Sequence, residues 1–442
     1  MSFKAALEAG QEPPDSWSSY MNVVYDSRRP PSIGSYDAEK LEAKAREVTM
    51  SNHSAFLYVF GSAGSCSTDR ANKKAFERWS FIPKMLVDAS DRTLETTLFG
   101  VTYKSPLLLA PIGVHGLLNK DGEVTTSRAA AKVGVPFITS TASTRSLEDV
   151  AEANGDGQRW YQLYWPRSEE ITLSLLGRAK KGGYTACIVT LDTMCMGWRP
   201  YDLDEAYLPF KHGIGIQVGT SDPAFMSTQG LEARPDERIP FPFDPAELDA
   251  KRAQGDEHEI QMKMLGRNWS RQIHSGLFRT WDELAFVRKH WEGPLILKGT
   301  LSVDDAVKAM EVGCDGIVVS NHGGRQIDGS IPSLFALEKI TADPRIQAAQ
   351  VEGKFTVLFD SGIRRGSDVI KAIALGAQAV LLGRPYMYGL AISGEQGVEE
   401  VVRGILCEAE ITLGLCGYSK LSQIWGKKDK IMEKMELSLY SP

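Results

Sequence analysis

The chain has 442 residues, 43% hydrophobic and 24% charged, with nine tryptophans and a formal charge of -6. That is a globular composition, with apolar material for one large α/β barrel or two to three ordinary domains. The mild acidity, the lack of a long Lys/Arg cluster and the absence of any run near the ~18 apolar residues of a membrane span argue against nucleic-acid and membrane partners.

The N-terminus shows no apolar stretch of the signal-peptide kind, so a cytoplasmic location is expected. Six cysteines are scattered without a C-x-x-C pair, which is neither a zinc pattern nor a disulfide framework, and no metal is expected. Cys187 and Cys314 lie in apolar runs and read as core thiols. Cys195 stands between Asp192 and Arg199, but no His flanks it, so a spectator is expected there rather than a nucleophile.

In chain order, Pro13-Pro14 and Pro30-Pro31 mark turns, and Asp37–Val48 is Ala/Glu/Lys-rich helical sequence. Residues 1 to about 50 read as an extension with one or two helices, and 1–104 as a helical extension and substrate-contacting segment ahead of the barrel. Phe56–Phe60 is apolar and runs into glycine-rich Gly61–Gly64, from which Tyr58 can reach a ligand or simply pack. A strand–helix beat begins near residue 105. Pro106–Pro111, Pro136–Ser140, Arg159–Tyr164 and Tyr184–Asp192 read as strands, with helices over Glu123–Val133, Ser146–Ala153 and up to Lys181 between them.

The beat stops over residues 200–278, a stretch rich in Pro, Gly and charge. A connection that long inside a compact domain is usually a lid or binding loop. The beat resumes with strands at Pro294–Gly299, Cys314–Val319, Phe355–Asp360 and Gln378–Arg384, and with a helix over Val303–Val312. Eight strands alternating with helices predict a (β/α)8 barrel over 105–390. A doubly wound sheet would open with G-x-G-x-x-G after its first strand, and none is present. Residues 391–442 read as a C-terminal helix and tail.

In such a barrel, residues just past the strand ends line the site. Those residues are Ser140, Gln162, Tyr164, Thr190, Asp192, Lys298, Ser320, His322, Arg325, Asp360, Ser361, Gly362, Arg364, Gly383 and Arg384. His322 and Arg325 enclose two glycines, giving a base and a cation on a turn that can pass close to a flat ligand; a polar turn with a solvated His is the plain alternative. Small residues after strands seven and eight, with Arg384, suit a phosphate. Lys298 aimed inward suits the negative charge of a reduced cofactor ring, or a core carboxylate.

These motifs resemble the FMN-dependent 2-hydroxy-acid oxidase family. The resemblance runs from about Phe56 to Gly389 through Ala110-Pro111-Ile112-Gly113, Gln162-Leu163-Tyr164, Thr190-Leu191-Asp192-Thr193, Gly197-Trp198-Arg199, Leu297-Lys298-Gly299, Ser320–Asp328 and Gly383-Arg384-Pro385. It implies FMN as cofactor, with His322 as the base and Asp192 as its partner. It also implies Arg325 and Arg199 on the substrate carboxylate, with Tyr58 and Tyr164 as hydroxyls at that carboxylate and at the reacting oxygen. Lys298 would sit beside the flavin N1/O2 edge. Ala110–Gly113, Ser140, Gln162, Thr190 and Ser320 would lie along the ring, and Asp360, Ser361, Gly362, Arg364, Gly383 and Arg384 along the ribityl and phosphate. Members of the family form tetramers or octamers, and the Lys-rich Ile424–Met435 segment would reach a neighbour.

Two departures narrow the resemblance. Ser361 follows the strand-seven Asp where the usual oxidase has two glycines, and Trp198 precedes Arg199 at the start of the long insertion. Both features, with Gly113 and Tyr207–Phe210, resemble the lactate 2-monooxygenase branch. The expected reaction is therefore oxidation of an L-2-hydroxy acid by O2 with decarboxylation of the product. An oxidase releasing 2-keto acid and H2O2, a dehydrogenase serving a cytochrome or quinone, a barrel isomerase or lyase, and a non-enzymatic flavin binder are the alternatives. Gly113 would leave room beside the flavin, and Leu203, Tyr207 and Phe210 would shape a pocket for a side chain larger than that of lactate.

Overall fold

The computed structural model describes residues 3–10 and 16–436, so the turn expected at Pro13-Pro14 lies outside the described residues. Eight parallel strands close a barrel: β1 (Leu107–Leu109), β2 (Phe137–Ser140), β3 (Arg159–Leu163), β4 (Cys187–Thr190), β5 (Leu295–Thr300), β6 (Gly316–Val319), β7 (Thr356–Phe359) and β8 (Ala379–Leu382). They stand in sequence order, and β8 returns to β1 through Val380↔Leu107. This is the (β/α)8 barrel expected from the strand–helix beat.

The strands are apolar because both of their faces are buried. One alternate set, including Leu109, Phe137, Leu163, Val189, Leu297 and Val357, packs outward under the helices. The other set, Leu108, Ile138, Trp160, Ile188, Ile296, Val318, Leu358 and Leu381, fills the barrel. Leu98 and Tyr103, on a two-stranded ribbon (Thr96–Leu98 and Val101–Tyr103), pack against that filling. Buried Cys187 and Cys314 belong to this packing as expected, and burial pushes the Cys314 thiol up to about 12.

Three segments differ from the sequence reading. Residues 1 to about 50 carry three α-helices among those described, where one or two were expected: Phe3–Glu8, Ser19–Ser27 and Ala38–Val48; His53–Phe60 and Ser67–Glu77 follow before the barrel. The insertion is helical rather than loop-like. Asp222-Pro223 and Asp244-Pro245 each place an N-cap carboxylate before a proline at the first helical position, starting helices Pro223–Ser227 and Pro245–Ala253. Asp256 caps the longest of them, Glu257–Ile273, by accepting from Glu259 N. At the other end, helix Arg384–Leu415 starts directly after β8 and breaks at Ser393 and Gly394. The Lys-rich segment expected to reach a neighbour folds back on its own chain, where Met432–Lys434 pairs antiparallel with Trp79–Phe81.

Candidate active site

Strand periodicity builds the floor of the site. Side chains alternate along a strand, so the residues two beyond the inward apolar layer also face inward. They are Ala110, Ser140, Gln162, Thr190, Lys298, Ser320, Asp360 and Gly383, small or polar at every position. Ser140 Oγ donates to Gln162 Oε1 and Gln162 Nε2 donates to Thr190 Oγ1, both at 2.9 Å, which links β2, β3 and β4. Lys298 Nζ donates to Ser320 Oγ at 3.0 Å and lies 3.4 Å from Asp360 Oδ2 and 4.0 Å from Asp192 Oδ2. Burial opposes its charge, but the two carboxylates outweigh burial and raise its pKa, so Lys298 is an ammonium.

Above this floor opens a cavity. Tyr58, Ala110–Gly113, Tyr164, Arg199, Lys298, His322, Arg325, Asp360–Arg364, Gly383 and Arg384 border it, which brings most of the expected site residues together. Ser140, Gln162, Thr190, Asp192 and Ser320 do not border it. They stand behind its wall, hydrogen-bonded to one another or to residues that do.

Asp192 reaches His322 because β5 yields to it. The strand bulges between Lys298 and Thr300, where Gly299 has φ 109°, and a Cβ there would come within 2.8 Å of Asp192 Cβ. His322 Nδ1 lies 2.7 Å from Asp192 Oδ1, and Thr193 Oγ1 donates to the same oxygen at 2.8 Å. Burial pushes Asp192 up, but His322 and Lys298 outweigh it and bring the carboxyl to about 2. Burial also lowers His322, more than Asp192 raises it, so the ring is neutral near pH 7. An ionised acceptor at Nδ1 holds the proton there and leaves a lone pair on Nε2. His322 itself has φ 58°, a strained backbone for a non-glycine residue.

Arg325 and Arg199 form a cationic corner. Arg325 Nη1 donates to Gly61 O at 2.6 Å, and its guanidinium lies 5.2 Å from the Tyr58 ring centroid. Arg199 donates from Nε to Arg325 O at 2.9 Å and from Nη2 to Gln326 Oε1 at 2.6 Å. Burial and the neighbouring Arg199 lower Arg325 to about 10, the signature of a cation short of counter-charge. Asp202 Oδ2 is 3.9 Å from Arg199 Nη1, too far for a hydrogen bond.

The glycines of the motif also make room for protein. A Cβ on Gly324 would strike Asp69 N at 2.7 Å, and one on Gly323 would come within 2.9 Å of Arg384 Nη1. They admit helix Ser67–Glu77 and Arg384, and Gly323 borders the cavity as well. Gly113 is likewise required by Ala142, whose carbonyl oxygen lies 2.5 Å from the position of a Cβ, so the space at this wall belongs to the pair rather than to Gly113 alone.

Arg384 is committed to protein. Its guanidinium donates to Val59 O, Gly61 O, Ser62 Oγ, Gly323 O and Asp69 Oδ1 at 3.0–3.3 Å, which uses all five of its N–H groups. Arg364 keeps more of its donors: Nη1 donates to Ile363 O at 3.0 Å, and Asp69 Oδ1 is 3.8 Å from Nη2. Ser361 holds φ 81°, where glycine is favoured, and its hydroxyl accepts from Gly323 N at 3.0 Å while donating to Asp360 Oδ1 at 2.7 Å. That cross-link accounts for serine at this position.

The cavity fits a flat phosphorylated ring system. A Cβ built on Gly383 would meet only Ile112 Cδ1, at 3.8 Å, so this glycine leaves space that protein does not fill. Helix Arg384–Leu415 starts at the same point, and Gly383, Arg384 and Arg364 all border the cavity, so the positive end of the helix dipole adjoins it. Lys298 supplies a charge at the barrel axis.

Sequence reading missed Thr193, Met196, His274 and Ala142, which also border the cavity, and Gln326, which holds Arg199. Their signal was weak: none belongs to the polar layer two residues past the inward apolar positions. Phe210 borders the cavity as expected, but Leu203 is half exposed and Tyr207 stacks on His212 behind the wall. Cys195 is exposed and does not border the cavity.

Comparison with known proteins agrees with this geometry. The profile of the FMN-dependent dehydrogenase family matches residues 47–432. An FMN-dependent alpha-hydroxy acid dehydrogenase, qulF of Penicillium citrinum, is 43% identical over 92% of this chain and 94% of its own length. An L-lactate oxidase of Lysinibacillus sphaericus is 38% identical over 83% and 86%. The crystal structure of a mandelate oxidase superposes with a TM-score of 0.70 at 33% identity, covering 90% of this chain and 98% of the other. The chain belongs to the FMN-dependent dehydrogenase family.

Proposed function

We propose that the chain oxidises an L-2-hydroxy acid with O2 as the final electron acceptor. The observation that carries this reading is a neutral His322 paired with ionised Asp192, in one cavity with an under-compensated arginine pair. FMN bound over the barrel mouth supplies a two-electron acceptor that O2 reoxidises. Arg325 and Arg199 bind and orient the substrate carboxylate, with charge and direction supplied together by planar guanidinium groups. Tyr58 and Tyr164 place hydroxyls beside that carboxylate and the reacting oxygen. His322 Nε2 accepts one of the two protons released when the hydroxyl-bearing carbon becomes a ketone, and Asp192 stabilises the resulting imidazolium. Lys298 offsets negative charge gathered on the cofactor ring. Ala110–Gly113 would hold the ring, backed from behind the wall by Ser140, Gln162, Thr190 and Ser320; Asp360, Ser361 and Gly362 would hold the ribityl chain. Arg364, with the main-chain N–H groups at Gly383 and Arg384, holds the phosphate.

The finer outcome proposed is oxidative decarboxylation, as in lactate 2-monooxygenase. If keto acid and peroxide stay together, the peroxide attacks the carbonyl, the bond to the carboxylate breaks, and a shortened carboxylate, CO2 and H2O result. The wall of Phe210 and His274, contributed by the insertion, supports retention. The second reading, release of 2-keto acid and H2O2, is favoured by the oxidases among the relatives. Turnover of L-lactate and of larger 2-hydroxy acids without catalase tests both. Shortened acid with CO2 and no free peroxide supports retention, whereas stoichiometric keto acid and peroxide refute it. No bleaching of the flavin by any 2-hydroxy acid refutes the whole reading.

The same reading carries a cytoplasmic homo-tetramer or homo-octamer. Exposed Ile82, Met85, Leu86 and Val87 form an apolar run suited to an interface, and light scattering on the purified protein checks the count. Among the described residues no helix is long and apolar enough to cross a membrane.

A further inference from the structure

His274 follows the last residue of helix Glu257–Ile273, the longest of the insertion, and borders the cavity. Its ring lies 5.1 Å from that of Tyr164 and 5.3 Å from that of Phe210, centroid to centroid. The helix end is tied to the barrel on both sides. Arg167 N donates to Gln272 O at 3.0 Å, Ser168 N to Gln272 Oε1 at 3.0 Å, and Gly276 N to Met194 O at 2.9 Å. The ring is therefore held in place, not presented on a loose loop.

Among the described residues nothing hydrogen-bonds this imidazole. Nδ1 is buried without a hydrogen-bond partner, and Nε2 is the accessible nitrogen, also without a partner among the described residues. Orphaned buried N–H groups are rarer than orphaned acceptors, which places the proton on Nε2. Burial, with the cations Arg199 and Lys211 nearby, pushes the ring down to about 3, so it stays neutral throughout the working range. A neutral N–H donor thus opens on a wall that also carries Phe210, Met196 and Ala142.

We infer that His274 is a specificity-determining residue, donating a hydrogen bond from Nε2 to an acceptor atom on the side chain of the 2-hydroxy acid. This rests on the proposed 2-hydroxy-acid chemistry and adds a substrate class to it: acids whose side chain is flat or apolar and carries one acceptor. Lactate has no such atom. A site that hydrogen-bonds its ligand rejects the analogue lacking the partner more strongly than an apolar wall rejects an added group.

The test uses the FMN-loaded full chain with L-3-phenyllactate and its pyridyl isosteres, the ring nitrogen placed at each position in turn. Bleaching of the flavin reads oxidation, and perturbation of its visible band reads binding. One pyridyl acid should exceed phenyllactate by roughly tenfold in kcat/KM, the worth of one hydrogen bond. In His274→Phe, which keeps the ring contacts, that ratio should fall to about one. His274→Gln, which keeps a neutral donor, should restore part of it. An unchanged ratio in His274→Phe, or no pyridyl acid preferred by the wild type, overturns the inference. His274-dependent binding without bleaching keeps the subsite and refutes the oxidation. Bleaching without His274 dependence does the reverse, and neither binding nor bleaching refutes both.

Discussion

Asn72 and Asn321 face each other through both amides: Asn72 Nδ2 donates to Asn321 Oδ1 at 2.8 Å, and Asn321 Nδ2 donates back to Asn72 Oδ1 at 2.7 Å. Asn72 lies on helix Ser67–Glu77 and Asn321 opens the turn that carries His322 and Arg325. Asn321 Oδ1 also accepts from Gly324 N at 3.1 Å, and Asn72 Oδ1 from Ser333 N at 3.2 Å. The N-terminal extension therefore braces the catalytic turn from behind. Asn72→Leu removes one of two partners at each end of the Asn321 amide, which keeps Ile331 O and Gly324 N, and strands the Ser333 N–H, so it should destabilise the protein by about 2 kcal/mol. Denaturant unfolding measures it, and turnover should fall although Asn72 does not border the cavity. An unchanged midpoint would remove the brace.

His322→Gln should retain FMN and lose reduction by substrate, as followed by anaerobic bleaching. Normal bleaching in that variant would remove His322 from the chemistry. With the neutral ring as the proposed base, activity should disappear as pH falls through the His322 pKa. Burial lowers that pKa below its ordinary 6.5, which puts the acid limb of kcat/KM below pH 6.5 in the free enzyme. A limb above 6.5 would show that Asp192 outweighs burial.

Arg325→Met should weaken binding of the substrate carboxylate by about 3 kcal/mol, the scale of a broken buried charge pair. The loss should appear in KM and in the affinity for a 2-keto acid measured by titration of the flavin band. Equal affinity in the variant would refute the clamp.

Arg364 and Arg384 should separate cleanly. Arg364→Met removes a cation with donors to spare and should weaken FMN binding, read by the rise in flavin fluorescence on release. Arg384→Met leaves Gly323 O and Ser62 Oγ without this donor, while Val59 O and Gly61 O still accept from Arg325, and should lower the unfolding free energy by about 1 kcal/mol or more for each stranded group. If Arg384→Met unfolds like the parent and only loses FMN, its side chain binds phosphate after all.

The barrel was legible because its signals are local. Apolar runs such as Pro294–Gly299 and Phe355–Asp360, spaced by helical sequence, mark strands without knowledge of their neighbours. The inward polar layer follows from the same period of two, which is why Gln162, Thr190, Lys298, Ser320 and Asp360 were found as a set. The insertion was read as a lid loop because its charge and proline content masked its helices, although Asp222-Pro223 and Asp244-Pro245 were helix starts in plain sight.

What the sequence by itself determined about this protein is the barrel and the types of side chain at its mouth, since strand alternation and helix caps act over a few residues. Only the tertiary structure decided what each of those side chains is free to do. Arg384 and Arg364 look alike in the chain, yet one is saturated by carbonyls from helix His53–Phe60 and the motif turn while the other keeps donors to spare. Asn72 and His274 carry no local mark at all. Their places depend on segments brought together by burial of apolar surface, and a hydrogen bond between residues so far apart in sequence leaves no periodicity in the chain.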